Sequence, residues 1–410
     1  MAGAWILETA STPFQKWPDR THRDLALEVV RAVLPERRPV DGVWFGNCAM
    51  NVFGQSNIRG QVALQPAVRE GLLDGHTPIV NVEAACATGS AALHGAVSAV
   101  LAGQADSALA IGVEKTWVPD DPAKSFALFM GGIDMLHRDE WKAFYREAAA
   151  AAGDGFAPVP ARILFLDVHA LSARAHMRAH GTTAEHLAII AAKNHENGRL
   201  NPLAQYRFGA TVESVLADRA VIEPLTRSMC APISDGAAAV HVVSEALLRT
   251  LPAEVRERAV RVRGCTLGGG TWRGLGEPDV TEVTAERAYR AAGVRPEQDD
   301  IAEVHHANAW CELAAMEALG FCGRGEGGAY VASGATQRDG ARPVNTSGGL
   351  IARGHPLAAT GLGMIDELVR QLRGEAGERQ AGAPHLGLAQ NAGGMIGLDE
   401  AVCGITVLER

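Results

Sequence analysis

The sequence has no spacing that would build a metal or disulfide scaffold. Its seven cysteines (48, 86, 230, 265, 311, 322 and 403) are scattered, odd in number and never arranged C-x-x-C. That speaks against a disulfide framework or zinc ribbon and for a reducing compartment. Lysine and arginine form no run and the formal net charge is −9, so nucleic acid is not an expected partner. Long apolar runs are lacking too. The most apolar stretch, Ala91 to Val113, is interrupted by His94, Ser98, Gln104, Asp106 and Ser107, and no membrane span is expected. The opening MAGAWILETASTPF has no basic segment, and the closing Val-Leu-Glu-Arg matches no lipidation or peroxisomal signal; a cytoplasmic protein is expected. There is no Walker loop and no G-x-S-x-G, and the glycines at 268–270, 274 and 276 do not form G-x-G-x-x-G after a clear strand. His305 and His306 are adjacent but lack H-x-x-x-H spacing, and no bound metal is expected.

What is present is the material of a large layered α/β protein. A length of 410 residues suits two to three domains or one duplicated unit. With 47% hydrophobic and 21% charged residues, the chain can bury a sizeable core. Short apolar runs bounded by Gly, Asp or Pro predict strands at Ala4–Glu8, Gly42–Gly46, Ile79–Glu83 and Ser107–Val113. Helical spacing falls between them at His22–Val33 and Gly89–Leu101. The later half repeats this grammar, with strands at Val260–Val262, Ile301–His305, Pro343–Asn345 and His385–Leu388. Its helices are expected at Ala285–Ala292, Cys311–Leu319 and Leu362–Leu372. Asn81 to Cys86 opens a small-residue turn followed by a helix and an apolar strand, and Asn345 to His355 does the same. Two matching units, each with a reactive side chain at a turn, predict a duplicated fold around a shared cleft. Residues 116–225 break the pattern and read as an insertion containing a helical run from Val168 to Glu196.

Four places can carry chemistry. Cys86, in Glu83-Ala-Ala-Cys-Ala-Thr-Gly-Ser90, sits between a strand and a helix, where unpaired N–H groups are expected to lower a thiol pKa; a buried inert cysteine is the plain alternative. His355 is fixed between Gly354 and Pro356 and could accept a thiol proton, or be a structural histidine. Taken together they suggest a nucleophile and its base. Glu303-Val-His-His-Ala-Asn308 ends a strand and suits positioning a water or carbonyl oxygen. Gln390-Asn-Ala-Gly-Gly394 offers glycine N–H groups to an oxyanion.

Cys86 in NVEAACATGS, His355 in NTSGGLIARGHP, Ser234-Asp-Gly-Ala-Ala-Ala239 and the terminal QNAGG together resemble the thiolase superfamily. The likeness runs nearly end to end, through Thr12-Pro-Phe14, Asp41–Asn47, Lys193-Asn-His195, Asn201-Pro202 and Ala204-Gln205. It is greatest to sterol-carrier-protein-type thiolases and their bacterial and archaeal relatives. The resemblance implies a duplicated, five-layered αβαβα fold with an inserted loop domain. The units expected are 1–115, an insertion at 116–225, a return segment at 226–255, and 256–410. It also implies a homodimer, a CoA thioester as substrate and no bound cofactor. By the same resemblance Cys86 is the acyl-accepting nucleophile and His355 activates it. His305 anchors a water near an enolate oxygen, and the N–H groups of Cys86 and Gly393 form an oxyanion hole.

One departure stands out. Thiolases use a second acid/base, usually a cysteine, and the two places where the family carries it are here Asn391 and Ala307. Neither titrates, so thiolytic cleavage is in doubt. His306, an acidic acceptor, or a small zinc-ribbon/OB-fold partner of the kind many such relatives work beside would have to fill the gap. The expected function is Cys–His acyl transfer from a CoA thioester to or from a carbon nucleophile held as a small-molecule acceptor. The alternatives are a retro-aldolase of the superfamily acting on a β-hydroxyacyl-CoA, and a non-catalytic scaffold for the small partner.

Overall fold

The computed structural model describes residues 3–35, 37–159 and 162–410. The strands are β1 (Ala4–Ser11), β2 (Gly42–Gly46), β3 (Ile79–Val82), β4 (Ser107–Glu114), β5 (Ala220–Ile222), β6 (Leu225–Thr226), β7 (Gly236–Ser244), β8 (Val260–Gly269), β9 (Ile301–Val304), β10 (Leu386–Gly393) and β11 (Val402–Glu409). Nine of them form one sheet in the order β3-β2-β4-β7-β1-β8-β11-β10-β9, while β5 and β6 make a separate ribbon.

The duplication is written in the pairing. In the first half β3, β2 and β4 run parallel, β7 is antiparallel to β4, and β1 is antiparallel to β7. In the second half Val344, β9 and β10 run parallel, β11 is antiparallel to β10, and β8 is antiparallel to β11. The halves join where Ala4–Ile6 pairs with Val260–Val262. β4 and β10 are buried at every position, which is why they read as almost unbroken apolar runs rather than alternating ones.

Helices complete five layers. His22–Val33 packs outside β7, β1 and β4, and Val280–Ala292 packs outside β8 and β11. Between the halves lie Thr88–Leu101 and Leu357–Arg373, which touch each other and strands from both sides. Leu357–Arg373 is buried almost all round, as a helix inside a core must be. Its polar groups are answered: Asp366 accepts from Thr9 Oγ1 at 2.8 Å and Glu367 pairs with Arg379 at 3.0 Å.

The structure departs from the sequence reading in three places. The run expected from Val168 to Glu196 is two helices, Leu164–His180 and Ala184–Arg199. Gly181 at φ +76° ends the first, and the Thr183 side chain caps the second by accepting from the His186 N–H. β7 and β11, central to the two halves, are absent from the sequence expectations. Pro343–Asn345 makes a single bridge to Ala302 rather than a full strand. Among the described residues no helix is long and apolar enough to cross a membrane.

The middle layer depends on missing side chains. A Cβ on Gly112 of β4 would overlap the backbone carbonyl of Ala358, and one on Gly89 would lie 2.7 Å from the same oxygen. Gly112→Ala is therefore expected to destabilise the fold by about 1–3 kcal/mol, because a backbone rather than a side chain must move. Gly155→Ala, where a Cβ meets nothing within 4 Å, should stay within about 0.5 kcal/mol of the parent. Urea unfolding midpoints of the two variants check the difference.

Candidate active site

Cys86 is carried on a strained elbow. After β3 the chain reaches Ala85 at φ +47°, a left-handed backbone that costs an alanine about 1–2 kcal/mol. The elbow is held by Thr88, whose hydroxyl donates to Ala85 O at 2.6 Å and accepts from the Ala84 N–H at 2.8 Å. Cys86 then sits in a short 3-10 turn just before the Thr88 helix. Gly393 closes on it from behind: a Cβ there would lie 2.5 Å from the Cys86 nitrogen. The N–H that reaches the thiol belongs to the next residue, Gly394.

The expected lowering of the thiol pKa is overturned. Burial, then the charge of Glu114, push Cys86 up to about 12, and the Gly394 N–H only partly opposes them. Glu114 is itself a buried carboxyl raised to about 7 by desolvation, and it accepts from the N–H groups of Cys48 and Ala49 at 3.0 Å each. Desolvation outweighs the helix start because both terms act on a single charge, and the burial term is the larger here. The resting group is a thiol and needs a base.

His355 is the imidazole beside the thiol. Its N–H donates to Ser234 Oγ at 3.0 Å, and Gly354 before it, at φ +111°, allows that approach where a Cβ would strike the same oxygen. The Nδ1 atom is 2.8 Å from Thr360 Oγ1, whose hydroxyl donates to Pro356 O at 3.1 Å. With that hydroxyl proton committed, Nδ1 carries the hydrogen and Nε2 keeps its lone pair. Burial and the neighbouring His306 hold the ring down at about 3, so it is neutral at any working pH. Cys86, His305 and His355 each present a sulfur or ring nitrogen within 4.8 Å of the others.

His305 follows β9, its backbone N–H bound to Gln390 O at 2.8 Å and Gln390 Oε1 at 3.0 Å. Its ring meets His355 edge-on with centroids 5.2 Å apart, and both ring nitrogens are buried without a protein partner. Desolvation, then the rings of His355, His306 and His169, hold its pKa well below the usual histidine value. Among the described residues these three side chains form the one group close enough to share a metal ion. The set fits a metal poorly, since a ligating histidine normally rests its second nitrogen on a carboxylate or carbonyl and His305 has neither.

The other expected residues separate. Gly393 lines the same cavity, about 310 Å³ in volume, as Cys86, His305, His355 and Ala307. His306 does not. It is fully buried behind the cavity wall, with Nδ1 3.1 Å from Asn345 Nδ2 and Nε2 3.8 Å from Glu312, which pairs with Lys193 at 2.6 Å. Asn391 also points elsewhere, accepting from Ser90 Oγ at 3.0 Å between the middle helices and β10.

Two residues that sequence reasoning missed do face the cavity: His169, from the inserted Leu164 helix, and Glu400, from the β10–β11 turn. Burial, then Asp279 and Asp399, raise Glu400 to about 8 against the pull of Arg273. Nothing in the sequence around His169 marks it. For Glu400 the faint signal is an acidic pair, Asp399-Glu400, set a few residues after the glycines of QNAGG.

Comparison with known proteins bears on the family and the fold. The family described as "Thiolase, N-terminal domain" matches residues 4–212, and "Thiolase C-terminal domain-like" matches residues 276–403. An acetyl-CoA acetyltransferase of Methanothermobacter thermautotrophicus is 35% identical, covering 95% of this chain and 96% of that one. The benzoylsuccinyl-CoA thiolase subunit BbsB of Thauera aromatica is 32% identical, covering 91% and 89%. Among solved structures, the Ltp2-ChsH2(DUF35) aldolase superposes with a TM-score of 0.74 at 22% identity, covering 99% of this chain and 97% of that one. Human mitochondrial 3-ketoacyl-CoA thiolase gives 0.65 at 18%, covering 99% and 98%. The chain belongs to the thiolase family, as an acyltransferase of that family.

Proposed function

We propose that the chain takes an acyl group from a CoA thioester onto Cys86 and exchanges it with a carbon nucleophile, in either direction. The observation that carries this reading is the Cys86 sulfur within 4.8 Å of a ring nitrogen of His355, whose Nδ1 is engaged by Thr360 Oγ1 at 2.8 Å. His355 Nε2 accepts the thiol proton as Cys86 sulfur attacks the thioester carbonyl. The N–H groups of Cys86 and the Gly393–Gly394 segment face the developing oxyanion. The carbonyl re-forms, the bond to the CoA sulfur breaks, and the proton on His355 leaves with the CoA thiol. In the second half a carbon nucleophile attacks the acyl-Cys86 carbonyl, with His305 and His355 beside the enolate oxygen.

Cytoplasmic residence and a homodimer belong to the same proposal. The sheet ends at β3, where Val80 is half-exposed and Ile79 O is taken by Gln61 Nε2 at 2.9 Å, and a second chain beside this edge would cover what is left exposed. A small partner protein also remains part of it, since one fold neighbour is an aldolase assembled as Ltp2-ChsH2(DUF35). The retro-aldolase reading is disfavoured, because such a reaction has no use for a thiol–imidazole pair. Acylation of Cys86 separates the two.

Intact-protein and peptide mass spectrometry after incubation with a panel of acyl-CoAs tests the reading. Cys86→Ser is expected to lose the acyl mass increase, while single replacement of any other cysteine keeps it. His355→Ala is expected to slow acylation by roughly two to four powers of ten, the scale of a positioned general base.

The pH dependence is a separate check. With the imidazole titrating near 3 and the thiol near 12, both partners stay in their reactive forms between. The acylation rate is expected to show no step centred on the usual histidine value when followed from pH 5.5 to 8.5. A tenfold loss per unit below about 6.5 would mean that His355 titrates as a free histidine.

A further inference from the structure

We propose that Glu400 is the acid/base of the carbon–carbon step, moving a proton to and from the α-carbon of an acyl-CoA seated opposite Cys86. The assignment rests on the acyl-transfer reading above and supplies the proton carrier that Asn391 and Ala307 cannot be.

The geometry places it. The catalytic cavity meets a second one of about 520 Å³, and three titratable residues line both: His169, His305 and Glu400. Glu400 thus stands in the throat between them, on the side of the β10–β11 turn, a few residues after the Gly394 N–H that reaches Cys86 sulfur. Its segment is firmly tied. Ile396 and Asp399 exchange backbone hydrogen bonds of 2.9 and 3.1 Å, Tyr145 OH donates to Gly397 O at 2.6 Å, and the Gly270 N–H donates to Ala401 O at 2.9 Å. Asp399 is spent on structure, accepting from the N–H groups of Val280 at 3.0 Å and Thr271 at 3.2 Å. Glu400 is not. Its carboxylate takes a hydrogen bond from its own backbone N–H, and Arg273, the cation acting on it, is paired with Asp399 at 3.4 Å.

The surroundings suit the task. Asp279 from the start of the Val280 helix, Asp399 from the same turn and Arg273 from the preceding loop all act on the carboxyl. The thiols of Cys86, Cys311 and Cys403 feel its charge in turn. His169 and His305 face it across the throat. A carboxyl raised to about 8 is a stronger base than either imidazole, both of which burial lowers, and matched strength near working pH is what a carbon-acid step asks for.

In the synthetic direction the Glu400 carboxylate takes the α-proton. The resulting enolate carbon attacks the acyl-Cys86 carbonyl, the new carbon–carbon bond forms, and the carbon–sulfur bond breaks to leave the Cys86 thiolate. The proton on Glu400 then returns to that thiolate or to solvent. In the cleaving direction Glu400 starts protonated and delivers its proton to the departing enolate carbon.

The test is exchange of α-hydrogens for deuterium in D2O, using the whole chain with acetyl-CoA and with hexanoyl-CoA, beside acylation of Cys86 in the same samples. Glu400→Gln is expected to lower exchange by roughly two to four powers of ten while Cys86 acylates within about threefold of the parent. Glu400→Asp, which keeps a carboxylate, should recover part of it. Parental exchange should rise with pH and level off above about 8, where the carboxylate form is complete, and this limb should vanish in Glu400→Gln. Exchange that survives Glu400→Gln overturns the assignment. So does absence of exchange in the parent with both probes, or loss of exchange and acylation together in Glu400→Gln. If exchange depends on Glu400 but Cys86 never acylates, the Glu400 assignment stands and the acyl-enzyme reading falls.

Discussion

The close crossing of the two middle-layer helices is the constraint on which the site depends. Cys86 lies two residues before Thr88–Leu101, and His355 lies two residues before Leu357–Arg373. Thiol and imidazole can meet only if the two helix starts come nearly into backbone contact. The Ala358 carbonyl sits where side chains on Gly89 and Gly112 would be, and Gly361 leaves room for Ser90 and Asn391. Glycine weakens an isolated helix by about 1 kcal/mol. Here that loss is outweighed by what the approach brings together: two reactive groups delivered from opposite halves of a duplicated sheet to one cavity floor.

The same burial sets the electrostatics. Every strongly shifted group at the site moves toward its neutral form: Cys86 to about 12, His355 to about 3, His169 and His306 to about 4, Glu114 to about 7 and Glu400 to about 8. Burial therefore favours the uncharged forms of these groups at rest, and on the proposed mechanism charge appears at the pair when a proton crosses from thiol to imidazole. Linkage works in both directions. The histidines bind protons more tightly when unfolded, so their contribution to stability falls as pH drops from about 6.5 toward 4. The carboxyls bind protons more tightly when folded, so theirs falls as pH rises from about 4.5 toward 7 or 8. The two sets therefore give stability opposite pH slopes over overlapping ranges, which flattens its net pH dependence.

Much of this was legible in the sequence because function and backbone geometry coincide there. Cys86 and His355 stand in turns whose glycines and alanines are demanded by the close crossing, so the motif and the packing are one signal. Gly42–Gly46 and His22–Val33 fall where periodicity puts them. β7 escaped because it opens Gly236-Ala-Ala-Ala239, small residues of low strand preference that hide the apolar run behind them. Gly181 escaped because apolar spacing continues across it, while the helix ends on its positive φ. His306 and His305 are adjacent letters with opposite fates: at a strand end, successive side chains point to opposite sides, and only one side is the cavity. Glu400 escaped for another reason. Its neighbours in space, Asp279, Arg273 and His169, are distant in sequence, and the pattern that would mark it exists only in three dimensions.

The cavity is assembled from different parts of the chain. Cys86, His305, His355 and Gly394 come from the duplicated core, whose backbone crossings leave them little freedom to move. The apolar wall facing them is built largely by the insertion, through Leu128, Phe129, Ile163, Phe165 and Leu166. Leu128 and Phe129 of that wall pack in one apolar cluster with Cys86 and Leu357, so a change in their volume is felt at the thiol. His169 also belongs to the insertion, and it shares the throat with His305 and Glu400 and lies 2.9 Å from Asn308, the cap of the Ala309–Ala318 helix. Through it the wall is tied to the side of the cavity where Glu400 stands. On the proposed function, a change in the Leu164 helix therefore reaches the His169–His305–Glu400 throat as well as the wall.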